Sequence, residues 1–172
     1  MEELKKHIRD IPDFPKKGIL FRDITTLLKN KEAFREAVDD MTELIKGGGE
    51  VDLILGIESR GFIFAAPIAY NLGVPLNVIR KPGKLPAEII SESYTLEYGE
   101  NTIELHKDAI EEGDKVVIID DLLATGGTAL ASAHLVEKFG GEVTSLLFLV
   151  ELTDLNGREK LKNYHVESVV KY

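Results

Sequence analysis

The chain has 172 residues, 44% of them hydrophobic and 30% charged, with a net charge of −9 and no cysteine. The length suits one domain of the usual size, about 100–200 residues, and the lack of cysteine excludes disulfides, thiolate metal centres, cysteine nucleophiles and CxxC redox chemistry. The acidic balance argues against a general nucleic-acid surface, which needs many Lys and Arg against phosphates; screening beyond about 8 Å at physiological salt still lets a few local cations build a pocket for a small anion.

Residues 1–10 are polar and helix-like, without the apolar stretch of a signal peptide, and no apolar run approaches the roughly 18 residues of a membrane span. The expectation is a soluble, cytoplasmic protein with no membrane partner. Phe34, Val38, Met41, Leu44 and Ile45 recur at helical spacing and predict a helix over 31–46, stopped by the glycines at 47–49. A short apolar strand over 53–57, a helix over 61–72 and further strands over 75–80, 116–120 and 143–150 follow, with a helix over 127–139 between the last two. Strand and helix alternate, and the strands are apolar without polar alternation. A parallel sheet buried on both faces requires that pattern, so the fold class is α/β with right-handed crossovers, and ligands belong at the carboxyl ends of its strands. The stretch 88–108 differs: it is polar, alternating and broken by Tyr98-Gly99-Glu100-Asn101, as an antiparallel hairpin with a movable tip would be. With no repeat, low-complexity tract or linker, residues 1–172 read as a single domain. His7, His106, His134 and His165 are scattered without metal-site spacing and read as surface or structural residues, so no protein metal site is expected.

The richest segment runs from the apolar strand Val116-Val117-Ile118-Ile119 through Asp120 and Asp121 into Leu122-Leu123-Ala124-Thr125-Gly126-Gly127-Thr128. Gly126 and Gly127 let backbone approach a ligand, and the amides opening the next helix aim donors and positive dipole at an anion. Thr125 and Thr128 add hydroxyl donors, so a phosphate fits the loop. The two carboxylates cannot bind that phosphate, but they can accept hydrogen bonds from sugar hydroxyls or face a developing cation. Together they describe a ribose phosphate. A tight turn with a capping threonine would leave the same loop sequence, and strand-end aspartates are often merely solvated; strand, acids, loop and helix in register favour the ligand. Neither GxxxxGK[ST] nor GxGxxG occurs, which removes the usual nucleotide-triphosphatase and dinucleotide readings.

The segment 116–128 resembles the signature loop of type I phosphoribosyltransferases, in which the acids hold ribose hydroxyls and the threonine-glycine loop, here Ala124 to Thr128, holds a 5′-phosphate. The resemblance covers nearly the whole chain and is greatest to the adenine-using members. Pro12-Asp13-Phe14-Pro15 with Gly18-Ile19-Leu20-Phe21-Arg22-Asp23-Ile24-Thr25 is similar to their base-binding hood, here placed within 1–30, and Glu58-Ser59-Arg60-Gly61-Phe62 to their diphosphate loop. Arg80-Lys81-Pro82-Gly83-Lys84-Leu85-Pro86 and Tyr94-Thr95-Leu96-Glu97-Tyr98-Gly99 follow the same pattern. The resemblance implies a Rossmann-like parallel-sheet core with helices on both faces, a flexible antiparallel hairpin and a small N-terminal hood. It implies adenine and phosphoribosyl diphosphate as substrates, AMP and diphosphate as products, magnesium held mainly through phosphoribosyl diphosphate, and a homodimer.

Residue by residue, Arg60 leaves the strand over 53–57 at the sheet edge that also carries Asp120. Its planar fork suits a diphosphate oxygen, and a surface ion pair is the ordinary alternative. The resemblance implies a cis peptide between Glu58 and Ser59. Arg80, Lys81 and Lys84 enter a Pro-Gly-bounded loop, where they are either a solvated cationic face or, as the resemblance implies, ligands of diphosphate that reach a neighbouring subunit's site. Phe21 and Leu152 are candidates to cover the two faces of a base, although core packing is the commoner fate of such side chains. By resemblance the base is read largely through backbone near Leu20 and Arg22, Tyr98 joins the phosphoribosyl site, and Glu97 is the general acid-base group; pattern alone would make Glu97 an exposed hairpin residue. Two other readings share the loop: an enzyme for hypoxanthine, guanine or xanthine, and a regulator sensing the same ligand. The hood favours adenine, and neither length nor charge gives evidence of a DNA-binding domain.

Overall fold

Five parallel strands in the order β4-β3-β7-β8-β9 form the central sheet. They are β3 (Leu53–Ile57), β4 (Leu76–Ile79), β7 (Lys115–Leu123), β8 (Glu142–Glu151) and β9 (Val166–Lys171). The computed structural model describes residues 2–95 and 100–172. All five residues of β3 are buried, as expected of a strand covered on both faces.

On one face lie α3 (Lys31–Gly47) and α4 (Gly61–Leu72), joined by the short α1 (Glu2–Lys5) and α2 (Thr25–Lys29). The apolar stripe of α3 puts Ala33, Ala37, Val38, Met41 and Ile45 into this layer. Asn30 fixes where that helix starts: its side chain accepts from the amides of Glu32 and Ala33 at 3.1 and 3.0 Å, a cap worth about 1 kcal/mol. On the other face lie α5 (Gly127–Lys138) and the antiparallel hairpin of β5 (Ile89–Thr95) and β6 (Glu100–His106). Phe64 on the first face and Phe148 on the second are almost wholly buried, each contributing about 1.5–3 kcal/mol. A separate antiparallel pair, β1 (Arg9–Pro12) with β2 (Leu20–Asp23), forms the hood.

Several elements differ from the sequence expectation. The N-terminal helix is only four residues long, and the chain is extended again by Arg9. The strand expected over 116–120 stays paired to β8 through Leu123, so both aspartates lie inside it. The edge strand β9 was not anticipated; Glu167 and Ser168 interrupt its apolar run, although Val166, Val169 and Val170 are buried. Neither the turn at 153–155 nor α6 (Gly157–Lys160) has enough apolar periodicity to be read in advance.

Candidate active site

The carboxyl ends of β3 and β7 gather the residues singled out above. After β7 the chain enters the loop Ala124 to Thr128, which lines a cavity of about 80 Å³ together with Asp120. Gly126, the residue before α5, has φ of 78°, a left-handed conformation that strains any other side chain. It is also crowded: a Cβ there would lie 2.6 Å from the carbonyl oxygen of Gly157. A Cβ on Gly157 would in turn lie 2.3 Å from the carbonyl oxygen of Ala124. The phosphate-loop backbone therefore rests on a second backbone segment that sequence reasoning missed. The available signal was the turn-forming pair Asn156-Gly157.

That second segment is clamped from below. Arg158 donates through Nε and Nη2 to the two carboxylate oxygens of Glu151 at 2.6 and 2.8 Å, and through Nη1 to the carbonyl of Val166 at 2.7 Å. Ser168 also donates to Glu151. Burial alone would push the Glu151 carboxyl up, but the hydrogen bonds from Arg158 and Ser168 outweigh it and hold the group below its ordinary value.

Asp120 and Asp121 do not act as one pair. Side chains alternate along a strand; Asp120 lines the 80 Å³ cavity and a larger one of about 500 Å³, whereas Asp121 lines neither. Asp121 meets Arg60, whose Nε is 2.9 Å from its Oδ2. Burial, and then the Asp121 charge, push the Asp120 carboxyl well above the ordinary carboxylate value. Burial also raises Asp121, against the opposing pull of Arg60. The structure thus separates a cavity-facing acid, Asp120, from one that holds Arg60.

The peptide bond between Glu58 and Ser59 is cis, as the resemblance implies. Glu58 is better understood as a positioning group than as an anion ligand, since an ionised carboxylate only accepts hydrogen bonds. It accepts from the Lys81 amide at 2.8 Å and Arg80 Nε at 3.2 Å. The Lys81 amide first, then Arg80, hold its carboxyl below the ordinary value against burial. Arg80 and Lys81 thereby line the 500 Å³ cavity with Asp120 within one chain, while Lys84 is exposed beyond it. Ser59 is exposed at the start of the loop.

The hood reaches the same place. Arg60 lies 5.6 Å from the centroid of the Phe21 ring, and Phe14 packs edge-on to Phe21 at 5.2 Å. Leu20 is exposed at the hood rim. Leu152 is half-buried just past β8, where its amide donates to the Leu123 carbonyl at 2.9 Å. The Arg22 side chain points elsewhere: it pairs with Asp10 and lies 3.7 Å over the Tyr172 ring, which leaves only its backbone for a base. Glu97 and Tyr98 fall outside the described residues.

The glycine-threonine loop, the cavity-lining Asp120, the arginine loop and the aromatic hood together have the chemistry that a phosphorylated sugar with a second anionic group and a flat base would need. A profile of the phosphoribosyl transferase domain matches residues 23–171. The chain belongs to the phosphoribosyltransferase family. Among family members, the adenine phosphoribosyltransferase of Halothermothrix orenii is 60% identical over 95% of this chain and 96% of its own. The crystal structure of the Thermoanaerobacter pseudethanolicus enzyme of the same name superposes with a TM-score of 0.96 at 56% identity, covering 99% of each chain. The Saccharomyces cerevisiae enzyme, solved with adenine and an imino-altritol bisphosphate, gives 0.94 at 38% identity, covering 98% of this chain and 97% of its own. In this phosphoribosyltransferase no described helix is long and apolar enough to cross a membrane. Among the described residues, no cluster of three or more His, Asp or Glu could hold a metal.

Proposed function

We infer that the chain is an adenine phosphoribosyltransferase, which transfers the ribose 5-phosphate group of phosphoribosyl diphosphate to a ring nitrogen of adenine and yields AMP and diphosphate. The observation that carries this is 60% identity over 95% of the chain to an enzyme of that name. The cavity linings around Asp120 support a reading of how the activity is performed.

The reaction is a displacement at the anomeric carbon: its bond to a diphosphate oxygen breaks, a carbon–nitrogen bond forms, and adenine loses a proton. Thr125, Thr128 and the amides opening α5 hold the 5′-phosphate. Asp120 accepts from the ribose hydroxyls and faces the positive charge that grows on the ribose ring. Arg60 and Arg80 receive the charge that grows on the leaving diphosphate, with Glu58 orienting Arg80. Phe21 and Leu152 enclose the base. Proton removal from adenine is assigned by resemblance to Glu97. The carboxylates of Asp121 and Glu58 are engaged by Arg60, Arg80 and Lys81, so this donor set fits a magnesium ion brought in largely by the substrate's own oxygens. Bound there, the ion would neutralise charge on the leaving group.

We further propose a cytoplasmic homodimer. On α4 and the neighbouring edge strand β4, Tyr70 is 87% exposed and Ile63 and Leu76 are also exposed, a set of large apolar side chains that a second copy would cover. Sedimentation giving only a single-chain mass would remove that assignment. The activity is tested with adenine, hypoxanthine, guanine and xanthine, each supplied with phosphoribosyl diphosphate and magnesium. Adenine is expected to be strongly preferred; preference for an oxo-purine would overturn the substrate, and turnover of none would overturn the enzyme.

A further inference from the structure

Tyr94 lies in the last part of β5, on the hairpin rather than in the phosphate loop, yet its hydroxyl is 2.8 Å from Thr128 Oγ1. Its ring lies against the start of α5, where a Cβ on Gly127 would be 3.2 Å from ring carbon Cδ2. Glu92, two residues earlier, pairs with Lys138 and approaches His134 Nδ1 at 3.4 Å, both on α5. The strand is therefore laid along the helix at two levels, which fixes the phenol relative to the loop.

Thr128 is shared between the two cavities. It lines the 80 Å³ cavity with Gly126 and Gly127, and the 500 Å³ cavity with Tyr94. A threonine hydroxyl has one proton and two lone pairs. A phosphate oxygen in the small cavity can only accept, so Thr128 must spend its single proton there. Its bond to Tyr94 is then one in which the phenol donates.

We propose that Tyr94 is a positioning residue for the 5′-phosphate: its hydroxyl donates to Thr128 Oγ1 and thereby commits the threonine proton to phosphate. The chain from phenol to threonine to phosphate is polarised in one direction, each donor strengthened by the one behind it. This rests on the phosphate reading of the loop, and it adds a residue that recognises no substrate atom itself. Ligands carrying the 5′-phosphate feel the relay, whereas adenine does not.

The test is Tyr94→Phe, which keeps the ring and removes only the hydroxyl. The expected result is a rise of about fivefold in both KM for phosphoribosyl diphosphate and the inhibition constant of AMP, the size of one lost hydrogen bond. KM for adenine and the melting temperature stay near wild type. Thr128→Val supplies the second arm: with the intermediary gone, adding Tyr94→Phe produces no further rise. The relay is overturned by an unchanged KM for phosphoribosyl diphosphate in Tyr94→Phe, by parallel rises for both substrates with a lowered melting temperature, or by full additivity in the double variant. Wild-type protein that fails to turn over adenine at all would instead sink the function on which the relay rests.

Discussion

Asp121 and Glu151 are each 4% exposed and stand at the carboxyl ends of neighbouring strands, with Glu151 paired to Leu123 just beyond Asp121. Each has an arginine partner, yet the carboxyl of Asp121 is pushed up and that of Glu151 is held down. Burial opposes ionisation at both positions; the difference lies in the donors. Arg158 grips Glu151 with two nitrogens while Ser168 adds a third bond. Arg60 meets Asp121 through Nε and a hydrogen bond with Asp120 also favours its charge, but burial outweighs both. A fully donated acid is a structural joint. An acid whose donors do not outweigh its burial costs stability, and of the two at this strand end only Asp120 lines a cavity in which a ligand's hydroxyls could meet it.

The largest effect that tests this contrast comes from neutralising the under-donated end. In Asp120→Asn/Asp121→Asn, turnover is expected to fall by about 10³-fold, the scale of losing charge stabilisation at a reacting centre, while the melting temperature rises. The sign follows from the raised carboxyls. A group whose folded pKa lies above its unfolded one retains its proton longer in the native state, so stability is lost as pH climbs from the ordinary carboxylate range through the raised folded value. The variant lacks that loss. Its melting-temperature advantage over wild type should be small at pH 4 and largest at pH 8, as a gain of stability at the expense of function requires. A double variant no more stable than wild type at pH 8 would mean that the acidic strand end carries no such cost.

How much of this could be read in advance depends on how far apart the cooperating residues lie. β3 and α4 have the boundaries that their apolar patterns predict, 53–57 and 61–72, because those signals are local. The loop at 124–128 was legible for the same reason: strand, glycines, threonines and helix are consecutive. The floor beneath it was not. Gly157 meets Ala124 and Gly126 only after β8 has crossed the sheet and returned the chain. The unequal duties of Asp120 and Asp121 were hidden too, since adjacent letters do not say which one Arg60 reaches. Arg22 is placed near the base through its backbone by resemblance, and the sequence did not reveal that Asp10 across the hood pairing and the Tyr172 ring hold its side chain. For β9, the valines at 166, 169 and 170 were an available signal, since β-branched residues favour a pleated, half-buried surface.

The fully donated end gives the smaller but complementary effect. Arg158→Met leaves the Glu151 charge buried without its main partner, a change that costs about 3–5 kcal/mol in a closed interior. The Arg158 side chain is 37% exposed, so water can take up part of that loss, and about 2–3 kcal/mol is the expected destabilisation. For a chain of this length that lowers the melting temperature by roughly 5–10 °C. The pH dependence is opposite to that of the acidic pair. Glu151 has a lowered folded pKa, so its contribution is present above the unfolded value and disappears as pH falls through the folded one. The gap between wild type and Arg158→Met should therefore be widest near neutrality and close on acidification. Because Arg158 follows Gly157 directly, releasing it also loosens the backbone on which Ala124 and Gly126 rest, and KM for phosphoribosyl diphosphate should rise more than KM for adenine. Adding Glu151→Gln separates the two consequences: an amide needs no counter-charge, so most of the stability returns, while the loop, still unclamped, keeps its raised KM. If stability and KM recover together, the clamp acts on the phosphate loop only through global stability. If Arg158→Met melts with wild type, the distinction between the donated and the under-donated acid fails at its structural end.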